Sequence, residues 1–187
     1  MTSHGTAAAQ VTYLVKGILK NTFSRENLNI PISDVMMRIA HEFRSYDLAY
    51  AIGLALGRLD LRSGSCDYIS SNFPDPHINN KETASLINPE SNPIIAGKNL
   101  AGDDRYVGCQ FLIQPGERLY IFSDGCFEFE QSNSKTVYGY RRFGRVLSDL
   151  AQLGWRDELQ KILSSANGNR GFDDDLTIMC IHHDPIL

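Results

Sequence analysis

The segment Gln114-Pro-Gly-Glu-Arg-Leu-Tyr-Ile-Phe-Ser-Asp-Gly125 constrains this chain more than any other. Gln114 to Glu117 is a turn, Arg118 to Phe122 is the strongest strand candidate, and Ser123-Asp124-Gly125 ends it. A carboxylate where a buried strand stops, with glycine next, is a place to hold a metal ion. The strand gives rigidity and Gly125 leaves room for close approach. An Asp-Gly pair is also a common turn. What decides between the two is what the rest of the chain sets beside Asp124.

Ala7 to Lys20 is predicted helical, because Ala8, Val11, Leu14, Val15, Ile18 and Leu19 recur at spacings of three and four. Its leading edge, Ser3-His4-Gly5-Thr6, offers Ser3 or Thr6 as a cap. After a break containing Pro31, Ser33-Asp34 is expected to cap a second helix to about Tyr46. Val35, Met36, Ile39, Ala40 and Phe43 form its apolar side, and the Met36-Met37 pair is expected in the core. Leu48 to Leu61 is apolar enough for a buried helix. Alternation in Gly57–Leu61 and again from Cys66 instead predicts a β-hairpin with its loop at 62–65.

Residues 72–104 carry proline- and asparagine-rich loop chemistry, with short strands at 84–87 and 93–95. Tyr106 to Ile113 is a further strand candidate, and the stretch from Phe127 to Lys135 is expected to be exposed and mobile. Tyr138 to Leu153 has helical spacing, with Arg141, Arg142 and Arg145 on a solvated face, and Trp155 to Ser164 is another helix. Phe172-Asp-Asp-Asp175 then feeds directly into Leu-Thr-Ile-Met-Cys-Ile, an acidic triplet at the start of a buried strand. The order is two helices, several antiparallel strands, two helices and a last strand, an α+β class.

At 187 residues the chain is expected to form a single domain, 1–187. Net charge is −4 and the basic residues do not cluster, so neither nucleic acid nor an anionic membrane is an expected partner. No apolar run reaches the roughly 18–20 residues a membrane helix needs, and with no basic stretch followed by an apolar one at residues 1–9 a secretion signal is not expected. Four widely spaced cysteines, Cys66, Cys109, Cys126 and Cys180, fit free thiols in a reducing cytoplasm. Glycine-rich nucleotide loops, a nucleophile elbow and a His-Glu-x-x-His zinc motif are all missing.

Two acidic sites therefore sit at strand ends, Asp124 at an exit and Asp174-Asp175 at a start. Antiparallel neighbouring strands would bring those ends together. Carboxylates so gathered repel one another unless a cation is present. Oxygen-only ligands favour Mg²⁺ or Mn²⁺ over zinc.

In their order these motifs resemble bacterial metal-dependent protein phosphatases, the PPM family in its SpoIIE/RsbU-like branch. Ser3-His4-Gly5-Thr6-Ala7-Ala8-Ala9 is similar to the family's Asp-Val-Ser-Gly-His-Gly-x-x-Ala-Ala helix start. Leu59-Asp-Leu-Arg-Ser-Gly-Ser-Cys-Asp-Tyr resembles its hairpin, and Gln114 to Gly125 its Pro-Gly-Asp…Thr-Asp-Gly strand. Tyr138-Gly-Tyr-Arg-Arg-Phe resembles its Phe-Gly-x-x-Arg-Leu helix start, and Asp174-Asp-Leu-Thr its closing Asp-Asp-x-Thr strand.

The resemblance implies an α/β/β/α sandwich of antiparallel sheets flanked by helices, holding two Mn²⁺ or Mg²⁺ ions. It implies Asp124 and Asp174 as metal ligands, Asp175 beside them, and His4, Gly5 and Gly125 in support. Counted back from His4, a backbone-carbonyl ligand falls on Met1, and the family's bridging aspartate falls immediately before it. The chain is thus expected to be the family domain without its N-terminal part. Ser3 stands where the family has glycine, and Asn72-Phe73-Pro74 replaces Gly-His-or-Asn-Pro.

The implied chemistry is hydrolysis of phosphoserine or phosphothreonine by a metal-bound hydroxide, with no protein nucleophile. The implied partner is a phosphorylated regulatory protein, such as an anti-sigma-factor antagonist. An upstream sensor or receiver domain, a homodimer and a cytoplasmic setting belong to the same expectation. Two alternatives stand beside it: a catalytically degenerate phosphatase-fold module that binds and regulates a partner, and an ordinary α+β domain with acidic loops.

Overall fold

Apolar residues three and four apart build the two N-terminal helices. In the computed structural model, α1 runs Thr6–Thr22 and α2 runs Ile32–Ser45. The structure describes residues 6–23, 30–46, 50–80, 84–87, 91–97, 105–128, 139–149, 157, 160 and 175–184. Ile18 of α1 is buried together with Val35, Met36, Ile39, Ala40 and Phe43 of α2. Met37, expected in the core beside Met36, is 43% exposed, because consecutive helical positions point about 100° apart. The start of α2 also differs from expectation. Pro31, with φ −54° and ψ 140°, is the N-cap, and its carbonyl accepts from the Asp34 and Val35 N–H groups at 3.0 and 3.2 Å. Ser33 and Asp34 are already inside the helix.

Among the described residues nine strands follow: β1 Ala51–Ile52, β2 Leu54–Leu59, β3 Ser65–Ser71, β4 His77–Asn79, β5 Ala84–Leu86, β6 Ile95–Ala96, β7 Cys109–Leu112, β8 Arg118–Phe122 and β9 Ile178–His182. The apolar run from Leu48 is strand where described, not helix, and β2 and β3 form the expected hairpin around 60–64. Asp60 shapes that turn, its Oδ1 accepting the Arg62 and Ser63 N–H groups at 2.8 and 3.3 Å. A third helix, α3, spans Tyr140–Asp149 with Arg141, Arg142 and Arg145 exposed. The predicted helix at 155–164 lies almost wholly outside the described residues.

The chain forms two compact units. The first, Met1–Arg58, Asp67–Asn72 and Pro89–Gln110, contains α1, α2 and the two-stranded β1-β6 sheet. Its core gathers α1 and α2 side chains with Leu56, Ile69, Ile95 and Tyr106. Asn92 ties its loops by donating from Nδ2 to the Ser70 and Val107 carbonyls and accepting the Val107 N–H. The second unit, Leu59–Cys66, Phe73–Asn88 and Phe111–Leu187, contains an antiparallel sheet of order β5-β4-β8-β9 and α3. One core there joins Tyr120, Phe122, Cys126, Phe127, Phe143 and Leu147, and a second joins Ile78, Ile113 and Leu119. The remaining sheet has the order β2-β3-β7.

Candidate metal centre

β8 is five residues long because Gly116, at φ +88°, closes the turn before it and Ser123 leaves the ladder after it. Its register with β9 runs from Arg118↔His182 to Phe122↔Ile178. The exit of β8 and the start of β9 are therefore at the same end of the sheet, as the two acidic strand ends require.

Ser123 stitches that end together. Its N–H donates to the Thr177 carbonyl at 2.9 Å, and its hydroxyl donates to the Asp175 carbonyl at 3.1 Å. The same Oγ accepts the Thr177 N–H at 2.9 Å. Asp124 opens a 3₁₀ turn, Asp124–Cys126, whose Asp124 carbonyl accepts from Phe127 and Glu128 N–H at 2.9 and 2.8 Å. The Asp124 Oδ1 accepts the Gly125 N–H at 3.0 Å. Gly125 is buried, while Asp124 and Asp175 are both exposed on the rim.

Beneath the rim the site is apolar. Cys126 is buried and donates its thiol toward the Thr177 carbonyl at 3.4 Å; burial pushes that thiol up to about 11, so it stays protonated and inert. Phe122 packs edge-on against Phe143 of α3 at 4.7 Å, and Phe127 edge-on against Tyr140 at 5.3 Å. The Gly139 N–H donates to the Phe127 carbonyl at 2.8 Å, fixing the start of α3 to the end of the turn. Phe127 is thus a core residue, 7% exposed, where an exposed excursion was expected. Residues 129–135 of that stretch lie outside the described residues.

The structure brings Asp124, Gly125 and Asp175 to one end of the β8–β9 ladder. Met1, His4, Gly5 and Asp174 lie outside the described residues. Among the described residues no group of three or more His, Cys, Asp or Glu side chains could by itself hold a metal ion. The donor type still suits a hard divalent cation: two exposed carboxylates on a rigid frame, without sulfur or imidazole among them.

Sequence reading missed two kinds of residue here. In the sequence Ser123 is only part of the strand end, although its hydroxyl joins the two acidic segments. His77 and Asn79 of β4, in a stretch with loop composition, are buried at 5% and 2% exposure. Asn79 Nδ2 donates to the Leu147 carbonyl of α3 at 2.8 Å. The signal available was Asp75-Pro-His-Ile-Asn79, a proline followed by alternation around Ile78.

Known proteins place the fold. The structure is similar to the SiaA-PP2C domain of Pseudomonas aeruginosa, with TM-score 0.81 and 19% identity over 98% of this chain and 72% of that one. It is similar to the RsbU and RsbW domains of a Mycobacterium tuberculosis protein, with TM-score 0.71 and 16% identity over 96% of this chain and 48% of that one. RsbX in complex with magnesium gives TM-score 0.63 and 12% identity over 96% of this chain and 75% of that one. No curated protein matches the chain. At these identities the likeness is one of fold, an α+β PP2C-like fold. Residues 1–184 match the family model described as Stage II sporulation protein E. The chain belongs to the SpoIIE family of PP2C-type phosphatase domains.

Proposed function

We propose that this chain is a metal-dependent serine/threonine protein phosphatase domain acting on a phosphorylated regulatory protein in bacterial signalling. The observation that carries the reading is the β8–β9 ladder, which sets the Asp124 and Asp175 ends side by side. In this reading residues 1–187 are one phosphatase domain, supported by the family match over 1–184. Asp124 and Asp174 hold the divalent ions, with Asp175 beside them and the Met1 carbonyl as a further ligand. His4, Gly5 and Gly125 shape the surrounding backbone.

Two Mn²⁺ or Mg²⁺ ions are proposed; the magnesium in the RsbX complex supports an ion of this class. Bound there, such ions neutralise phosphoryl oxygens and lower the pKa of water. The chain's own part is positional. Ser123 holds the two acidic segments in register, the buried Gly125 keeps the backbone close beneath the carboxylates, and exposure of Asp124 and Asp175 leaves the rim open to a phosphoprotein loop.

An anti-sigma-factor antagonist is the proposed substrate, supported by the likeness to a protein that carries RsbU and RsbW domains. An upstream sensor or receiver domain, a homodimer and a cytoplasmic setting complete the proposal.

The test is Mn²⁺-dependent hydrolysis of p-nitrophenyl phosphate by residues 1–187 and by a form extended upstream, each with and without Asp124→Asn. Asp124→Asn is expected to lower kcat/KM at least about a hundredfold, since each 1.36 kcal/mol of lost transition-state stabilisation is tenfold. Failure of the extended form to bind Mn²⁺ in calorimetry would refute catalysis and leave the degenerate binding module.

A further inference from the structure

We propose that His77 is a proton-operated latch for α3: the helix stays docked on β4 and β8 only while the imidazole is neutral. His77 lies on β4, opposite Leu86 of β5 and Tyr120 of β8, and is 5% exposed. Its ring sits 5.5 Å from the rings of both Phe122 and Tyr140. On the α3 side, a Cβ on Gly144 would lie 3.1 Å from its Nε2, so the helix backbone packs closely over that side. Its Nδ1 is fully buried and finds no hydrogen-bond partner among the described residues. A neutral imidazole tolerates one silent nitrogen; an imidazolium has two N–H donors and a charge to satisfy.

The groups around it offer little to a cation. From β8 come Tyr120 and Phe122, and from α3 comes Tyr140, whose hydroxyl donates to the Asp75 carbonyl at 3.1 Å. Arg141, Arg142 and Arg145 of α3 are exposed and carry the wrong sign. From the β4 approach comes Asp75, whose carboxyl burial holds above the usual range. The tilted aromatic rings return only a modest cation–π attraction. Burial accordingly holds His77 below its ordinary value of 6.5, and the nearby Asp75 backbone opposes this only in part.

The sign follows. Undocked, His77 takes up a proton as pH falls through about 6.5; docked, it does so only at lower pH. Docking is at full strength above 6.5 and weakens as pH falls from there toward the docked pKa. Asp75 works in the opposite sense, since burial raises its carboxyl, and the Asp75→Asn variant separates its contribution from that of His77. Because Phe143 and Leu147 of α3 pack on Cys126 and Phe127, release of α3 loosens the turn that carries Asp124. Only this last link rests on the phosphatase reading.

Amide hydrogen exchange of residues 140–149, corrected for intrinsic rates, is to be followed from pH 7.5 to 5 in the 187-residue chain, with NMR titration of the His77 ring. The ring is expected to titrate below 6.5, and α3 protection to fall by up to about tenfold for each pH unit separating the docked and free midpoints. His77→Leu is expected to abolish that pH dependence, and Asp75→Asn to keep it. A ring midpoint at or above 6.5 overturns the proposal, as does unchanged pH dependence in His77→Leu or its loss in Asp75→Asn. If His77→Leu does not fold, the wild-type ring titration alone decides.

Discussion

Asn72 has φ +47°, a left-handed conformation that costs most side chains about 1–2 kcal/mol and that asparagine tolerates best after glycine. This explains why asparagine stands where the resembling family carries glycine. Asn72→Val is expected to lower stability by about 1–2 kcal/mol and Asn72→Gly to change it by less than about 0.5, read from urea midpoints. Gly64 is stricter. At φ +74° a Cβ would lie 2.3 Å from the Ile113 carbonyl oxygen and 2.8 Å from His183 Nδ1, which itself bonds that oxygen. Gly64→Ala is therefore expected to cost more than about 2 kcal/mol and to unfold the β2–β3 turn first, visible as lost amide protection at 60–65. Asp124 was legible as a strand-ending acid because strand, turn and glycine are contiguous. Ser123 was not, since its partners Asp175 and Thr177 lie far along the chain and only the fold brings them to it.

β8 matches its predicted bounds because a Pro-Gly turn and an uninterrupted apolar run define both ends locally. β4 does not announce itself. It is three residues long, two of them polar, and it becomes a strand through its ladders with β5 and β8 and its cover by α3. The length of α2 follows from its apolar spacing, but its start does not follow from Ser33-Asp34, because the carbonyl of Pro31 serves in place of a capping side chain. α3 contributes Phe143 and Leu147, at 1% and 0% exposure, to the core under the 3₁₀ turn. Leu147→Ala is expected to cost about 2–5 kcal/mol. Because the Leu147 carbonyl is also the acceptor for Asn79, backbone displacement there adds an unpaired buried amide. The check is a fall in thermal midpoint together with lost near-ultraviolet signal from the Phe122–Phe127–Tyr140–Phe143 cluster.

For the whole molecule, 22 acidic against 18 basic residues give a net charge of −4, so a cation is drawn toward an acidic rim without opposition from the protein's overall field. Among the described residues no helix is long and apolar enough to cross a membrane. If the carboxylates bind Mn²⁺, the ion stabilises the folded chain by about 2.7 kcal/mol at a hundred times its dissociation constant. The rise in Tm is expected to vanish in Asp124→Asn. The family relation was legible from motif order, since each motif is local; the division into two compact units was not, since that depends on which distant segments pack together. The β8–β9 ladder has a kinetic consequence as well. It joins residues 118–122 to 178–182, so closing it brings together segments far apart in the chain. Such non-local pairing slows folding, because loop closure costs entropy before the contacts compensate for it. The ion-binding end is expected to form after the transition state, so Mn²⁺ is expected to slow unfolding while leaving the refolding rate unchanged, a split that stopped-flow chevrons with and without the ion would read directly.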